Sequence, residues 1–222
     1  AASPLFLTSA AAAEAAAYQI DRSIRINDDD TAYLNRTPSS TGNRKTWTWS
    51  GWVKRSSTGG RDVLFSSNGG DAAAFDLGFD GSHRLECALG VGPNLVTNAV
   101  FRDFSAWMHI VVALDTTQST ASNRLRIYVN GSEIDSFSAA NYPTQNHQYD
   151  INNTTAHEIG RQSSHYFDGY LAEIHHVDGQ QLAPTDFGGP DDNGVWQPKA
   201  YSGSYGTNGF YLKFADNSSN AA

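Results

Sequence analysis

The sequence predicts an all-β fold in which two antiparallel sheets pack face to face, and three observations carry that prediction. Apolar and polar residues alternate with period two along most segments past Tyr18, as half-buried strands do. Clusters of Gly, Asn, Asp and Ser separate those segments at short spacing, which is the punctuation of strand-to-strand turns. The 222 residues include 20 glycines and 12% aromatic residues but a single Met, a composition suited to many short strands rather than to a helical bundle. A chain of this length buries one good core, so one domain is expected.

Taken in order, "SIRI" (residues 23–26) and "AYLNR" (residues 32–36) read as short strands flanking the acidic turn "NDDD". "TWTWSGWVKR" (Thr46–Arg55) alternates Trp47, Trp49, Gly51 and Val53 against Thr48, Ser50, Trp52 and Lys54, and one of those faces must be buried. Further strands are expected at residues 63–66, 75–79, 84–89 and 95–100, and "WMHIVVALD" (residues 107–115) is a longer apolar strand. In "RLRIYVNGSEIDSF" (residues 124–137) two alternating runs flank Asn130-Gly131, the dipeptide preferred where both turn positions need positive φ. Residues 157–160 and 210–214 complete the strands, with "FGGPDDNG" (residues 187–194) a loop between them. In "YFDGYLAEIHHVDG" (residues 166–179), strict alternation places Tyr170, Ala172, Ile174 and His176 on one face and Leu171, Glu173, His175 and Val177 on the other.

The net charge of −8 argues against a nucleic-acid partner, which needs a basic face, and against docking on anionic lipid. Cys87 is the one cysteine, so no internal disulfide forms, and this favours folding in a reducing cytoplasm. Its alternation with Leu85 and Leu89 predicts a buried thiol. The Asn-X-Ser/Thr matches at Asn35, Asn130, Asn152, Asn153 and Asn217 reflect richness in those residues and carry no weight. Residues 1–19 read as an alanine-rich arm, helical or extended, that is too short for a bilayer span. Residues 20–216 are the folded domain and 217–222 a tail. The absent initiator Met and the "NSSNAA" ending suggest a fragment or processed product.

Three segments in order, "WMHIVVALD", "IYVNGSEI" and "FDGYLAEIHHVDGQQLAPTDF", resemble the concanavalin A-like, or laminin-G-like, jelly-roll superfamily. The resemblance covers about residues 20–214 and implies a two-sheet antiparallel jelly roll. "NDDDTAYLNRTPSSTGNRKTWTWSGWVKR" and "WQPKAYSGSYGTNGFYLKFADNSS" look like virion proteins of tailed bacteriophages, notably marine ones, which carry such domains on fibres or capsid appendages. That likeness implies a particle-surface location after assembly in the host cytoplasm. It also implies other virion proteins as partners and homo-oligomers on the particle, with no nucleic acid bound and no membrane insertion.

The superfamily's glycoside hydrolases imply paired carboxylates on one strand face. The nearest match here is Glu133 and Asp135 in "EIDSF", where Phe137 holds the place of a third acid, and the site is read as non-catalytic. Adjacent His175 and His176 point to opposite strand faces and so do not share a zinc site. Relatives that bind calcium make Asp28, Asp30 and Asp168 weak calcium candidates, with Asp29 and Asp115 beside them. Ordinary turn roles for these residues are favoured, so no cofactor is expected unless calcium binds.

Sugars offer C–H faces to aromatic rings and hydroxyls to polar side chains. In the polar loop of residues 138–155 this singles out Tyr142, His147, Tyr149 and Asp150, and in "RQSSHYF" it singles out His165 and Tyr166. Trp196, Tyr201 and Tyr205 either dock the terminal segment onto the sandwich or contact a neighbouring subunit. The expected function is multivalent weak binding of host-surface carbohydrate. A purely structural capsid decoration protein and a glycoside hydrolase are the alternatives.

Overall fold

The structure, a computed structural model, describes residues 18–56, 60–67, 74–90 and 93–215. Residues 1–17 of the expected arm and the whole expected tail lie outside the described residues. The strands are β1 (Ile24–Ile26), β2 (Leu34–Arg36), β3 (Thr46–Arg55), β4 (Asp62–Ser67), β5 (Phe75–Phe79) and β6 (Arg84–Leu89). They continue as β7 (Pro93–Val100), β8 (Met108–Asp115), β9 (Leu125–Val129), β10 (Ser132–Glu133), β11 (Phe137–Ala140) and β12 (His157–Ile159). The last are β13 (Arg161–Gln162), β14 (His165–Tyr166), β15 (Gly169–Asp178), β16 (Gly188–Pro190), β17 (Trp196–Pro198) and β18 (Phe210–Leu212).

Two antiparallel sheets form the jelly-roll sandwich. The first has the order β1-β15-β3-β8-β9-β10, with β18 also on β15, and the second runs β11-β7-β6-β5-β4-β12-β2. Period-two patterning places Trp47, Trp49 and Val53 of β3 in the core between the sheets, against Phe65, Phe75 and Leu77. Trp47 meets Phe75 edge-on at 4.8 Å and Trp49 stacks on Phe65 at 6.3 Å between ring centroids. Both indoles are fully buried, and each contributes about 3–5 kcal/mol of apolar transfer free energy. Cys87 is buried there as expected.

The outer face of the first sheet is also covered. Val111, Ala113, Tyr128 and Val177 form a second apolar cluster with Phe187, against which Leu182, Tyr201 and Tyr205 pack. The segment after β15 therefore folds back across the sheet, and Tyr201 and Tyr205 dock it there. This explains why Thr48 and Ser50, on the polar face of β3, are buried. Thr48 donates to the Gln180 carbonyl and accepts from the Leu182 N–H, so it is satisfied by the cover.

Four expectations change. Strand β15 does not alternate strictly, because Ala172 pairs with Trp52 but His175 pairs with Ser50, so two residues oppose Gly51 alone. This β-bulge holds Glu173 at φ 49 and moves Ile174 and His176 to the core face with Leu171. Glu173, His175 and Val177 fall with Tyr170 and Ala172 on the outer face. Gly51 makes room for the shift, since a Cβ there would collide with Ile174 and Trp49. The second change is that the expected polar loop of residues 138–155 begins inside β11, which pairs with β7. The third is that "FGGPDDNG" contains β16, paired with β17. The fourth is that the strand after Asn130-Gly131 ends at Glu133 and the chain then crosses to the other sheet; the turn itself has φ 48 and 79, both positive as expected.

A buried polar knot closes one end of the sandwich. Asp178 accepts from the Asn43 and Asn208 N–H groups and from Asn152 Nδ2 at 2.8–3.0 Å. Asn152 Oδ1 accepts from His176 Nε2 at 2.8 Å, and the Asn152 N–H donates to His157 Nε2 at 3.0 Å. Asn152, Asp178, Asn208 and His176 are each 5% exposed or less, and together they tie three separate loops to β15.

Candidate functional site

The outer face of the first sheet holds a groove of about 320 Å3 whose lining includes Trp52, Trp107, Trp196, Asp21, Arg22 and Gln197. Each tryptophan arrives from a different element. Trp52 lies on the outward face of β3, opposite to Trp47 and Trp49, and its cross-strand partners are His109 on β8 and Ala172 on β15. Trp107 immediately precedes β8 and is 37% exposed. Trp196 opens β17 in the cover.

His109 joins two of them. Its ring stacks on Trp52 at 5.2 Å and on Trp196 at 6.0 Å. Trp196 Nε1–H donates to His109 Nδ1 at 3.0 Å, so the imidazole proton sits on Nε2 and donates to Ser50 Oγ at 2.8 Å. Burial pushes the His109 pKa down to about 3, aided by nearby His175, so the ring is neutral and can accept that bond. Trp196 is seated between two glycines, Gly131 of the β9–β10 turn and Gly188 of β16, where any Cβ would overlap the indole.

Beyond Trp107 the aromatic surface continues. Tyr170, 37% exposed, meets Trp107 edge-on at 6.4 Å, and the Arg25 guanidinium lies 5.3 Å over the Tyr170 ring. Half-exposed rings flanked by Asp21, Arg22 and Gln197 can stack on an apolar ring face and hydrogen-bond the hydroxyls at its rim.

The residues singled out from sequence lie elsewhere. Tyr149 and Asp150 are 5% and 4% exposed, which corrects their reading as surface sugar contacts. Tyr149 packs in the core, and Asp150 pairs with Arg44 at 2.9 Å. Tyr142 is half-buried beside Glu133, Asp135 and Arg126 in a separate cleft of about 300 Å3, where Arg126 stands 3.7 Å from Glu133. His147 is exposed and packs on Tyr149 at 4.5 Å. His165 and Tyr166 share an open cleft of about 410 Å3 with Asp28, Asp29 and Arg61, so predicted residues from different segments meet here as they do where Tyr142 lies beside Glu133 and Asp135.

Asp28 and Asp30 serve the β1–β2 turn, accepting from the Asp29 N–H and from Asn27 Nδ2. Asp168, 9% exposed, pairs with Arg25 at 2.6 Å. Partial burial would raise the Asp115 pKa, but hydrogen bonds from Thr117, Gln118 and Thr46 outweigh it and hold the carboxyl below its ordinary range. Among the described residues, no three His, Cys, Asp or Glu side chains converge as a metal site. The groove residues were missed because their signal was slight, a third tryptophan on the outward phase of a strand whose other two face inward.

Residues 28–183 match the family model described as "Concanavalin A-like lectin/glucanases superfamily". No curated protein sequence matches the chain. Among solved structures, the native heptameric SAP-like pentraxin from Limulus polyphemus is similar over 68% of this chain and 71% of its own, with 16% identity and a TM-score of 0.49. The CBM40 of a Ruminococcus gnavus sialidase, bound to α2,3-sialyllactose, is similar over 62% and 87%, with 14% identity and a TM-score of 0.43. The Trypanosoma rangeli sialidase in complex with 2,3-difluorosialic acid is similar over 63% of this chain but 21% of its own, with 14% identity and a TM-score of 0.46.

Proposed function

We propose that this chain, which belongs to the concanavalin A-like lectin/glucanases superfamily, is a non-catalytic carbohydrate-binding module displayed in many copies on a phage particle. The observation that carries the binding reading is the groove of Trp52, Trp107 and Trp196 with polar groups at its rim. Aromatic platforms half-open to solvent suit the C–H faces of pyranose rings, and Asp21, Arg22 and Gln197 suit their hydroxyls. Binding rather than cleavage is favoured because, among the described residues, Asp21 is the one carboxylate lining the groove, whereas retaining hydrolysis needs two about 5–5.5 Å apart. The virion role rests on the phage-like wording of residues 27–55 and 196–219, and multiple copies would turn weak single sites into firm attachment.

Retardation of the purified protein in gels containing host-surface polysaccharides tests the binding role. Trp107→Ala is expected to weaken binding about tenfold, because a central aromatic anchor is lost. At 37% exposure the residue costs about 2–3 kcal/mol of stability on removal, so far-UV circular dichroism is used to confirm that the variant is folded. Unchanged retardation would remove the groove as the site, and release of reducing sugar would overturn the non-catalytic reading. An antibody to the domain that fails to label intact virions would sink the particle location alone.

A further inference from the structure

We propose that Glu173 is a positioning residue for the tryptophan groove, acting through Tyr18 to fix the groove wall formed by residues 20–23. The proposal rests on the groove being the ligand site. Glu173 is the bulge residue of β15, held at φ 49, and is only 4% exposed. A buried carboxylate on a left-handed backbone is costly twice over and persists where its surroundings over-determine it. Those surroundings are two phenols, since Tyr18 and Tyr211 both donate to Glu173 Oε2 at 2.6 Å. The His175 ring, 3.8 Å from the same oxygen, is engaged instead through Nδ1 with the Tyr205 hydroxyl at 2.8 Å.

The two phenols hold different things. Tyr211 lies on β18, which is already fixed to β15 by sheet pairing at residues 174–176. Tyr18 precedes β1, whose pairing with β15 begins only at Ile24. Between them, Ile20, Asp21, Arg22 and Ser23 form one wall of the groove. Among the described residues, the Tyr18 phenol makes the side-chain polar contacts of the stretch 18–23, donating to Glu173 and lying 3.1 Å from the Tyr211 oxygen. Glu173 also stands beside the aromatic floor on the same outer face, because its neighbour Ala172 lines the groove and Glu173 shares a narrow crevice with Trp52 and His109. The bulge thus turns a carboxylate toward the one phenol that anchors the wall.

Tyr18→Phe and Tyr211→Phe provide the test, because each removes one hydroxyl from the same oxygen. A purely structural role predicts matched effects. The positioning role predicts that Tyr18→Phe weakens glycan retardation about fivefold, the worth of one hydrogen bond, while Tyr211→Phe leaves it unchanged. Hydrogen exchange in the free protein gives a ligand-independent readout, with the β1 amides of residues 24–26, which follow the wall and pair with β15, exchanging faster in Tyr18→Phe only. Equal losses in the two variants, or no change in either readout for Tyr18→Phe, would overturn the proposal. If Trp107→Ala leaves retardation intact while the exchange asymmetry appears, the groove reading fails and the wall-positioning geometry stands.

Discussion

The groove and the polar knot are built on the same device and put it to opposite ends. In both, a buried neutral histidine links elements distant in sequence. His109 accepts from Trp196 and donates to Ser50, and His176 donates to Asn152, whose own N–H donates to His157. Around His176 the partners are amides and a carboxylate closed from water, and the result is a clamp on three loops. Around His109 the partners are indoles left partly open, and the result is a platform. What separates a candidate site from scaffold here is whether the ring's neighbours can still meet a ligand, not the histidine chemistry.

Acid offers the largest test of that shared device. Burial holds His109 and His176 down to about 3 and His175 down to about 4, against an unfolded value near 6.5. The unfolded chain therefore binds these protons first, so their contribution is fully present above pH 6.5 and is lost as pH falls toward 4. Each ring therefore destabilises the fold as it takes up its proton, an effect offset in part by Asp62, whose burial raises its pKa to about 6. Stability is expected to fall as pH drops below 6.5, with tryptophan fluorescence and far-UV circular dichroism changing together. A separate, earlier fluorescence step would show that groove and knot are independent units.

Asp178→Ala addresses the knot alone. It strips the acceptor from the Asn43 and Asn208 N–H groups and from Asn152 Nδ2, so a loss of about 3–5 kcal/mol is expected in urea denaturation. Retardation by glycan should be unchanged wherever the variant is folded. A matching loss of binding would mean that the two regions are energetically coupled across β15.

The contrast also governs how much could be read from sequence. Strands β3, β5 and β6 were legible to the residue, because alternation and flanking turn residues agree there. The bulge at Glu173 was not, since a period-two reading assumes no inserted residue and glutamate gives no sign of adopting positive φ. Tyr149 and Asp150 looked like surface residues because their loop is polar. An ion pair to Arg44, more than a hundred residues distant, is what carries them inside. The groove combines Trp52, Trp107 and Trp196 from three elements, and no local pattern announces that residue 196 returns over residue 52.

The smallest expected effect separates seat from turn within the groove. Gly131 and Gly188 both lie against Trp196, but Gly131 also sits at φ 79 in the β9–β10 turn, while Gly188 does not require positive φ. Alanine at either position should push the indole off His109 and weaken glycan retardation by a similar factor, about threefold if the Trp196 hydrogen bond is merely strained. Gly131→Ala should cost about 1 kcal/mol more stability than Gly188→Ala, the added penalty of a Cβ on left-handed backbone, read as a difference in urea midpoints. Equal midpoints would mean that the turn relaxes to absorb the Cβ. Equal stability loss with no change in binding would mean that Trp196 closes the cover rather than forming the platform, and the groove would then rest on Trp52 and Trp107 alone.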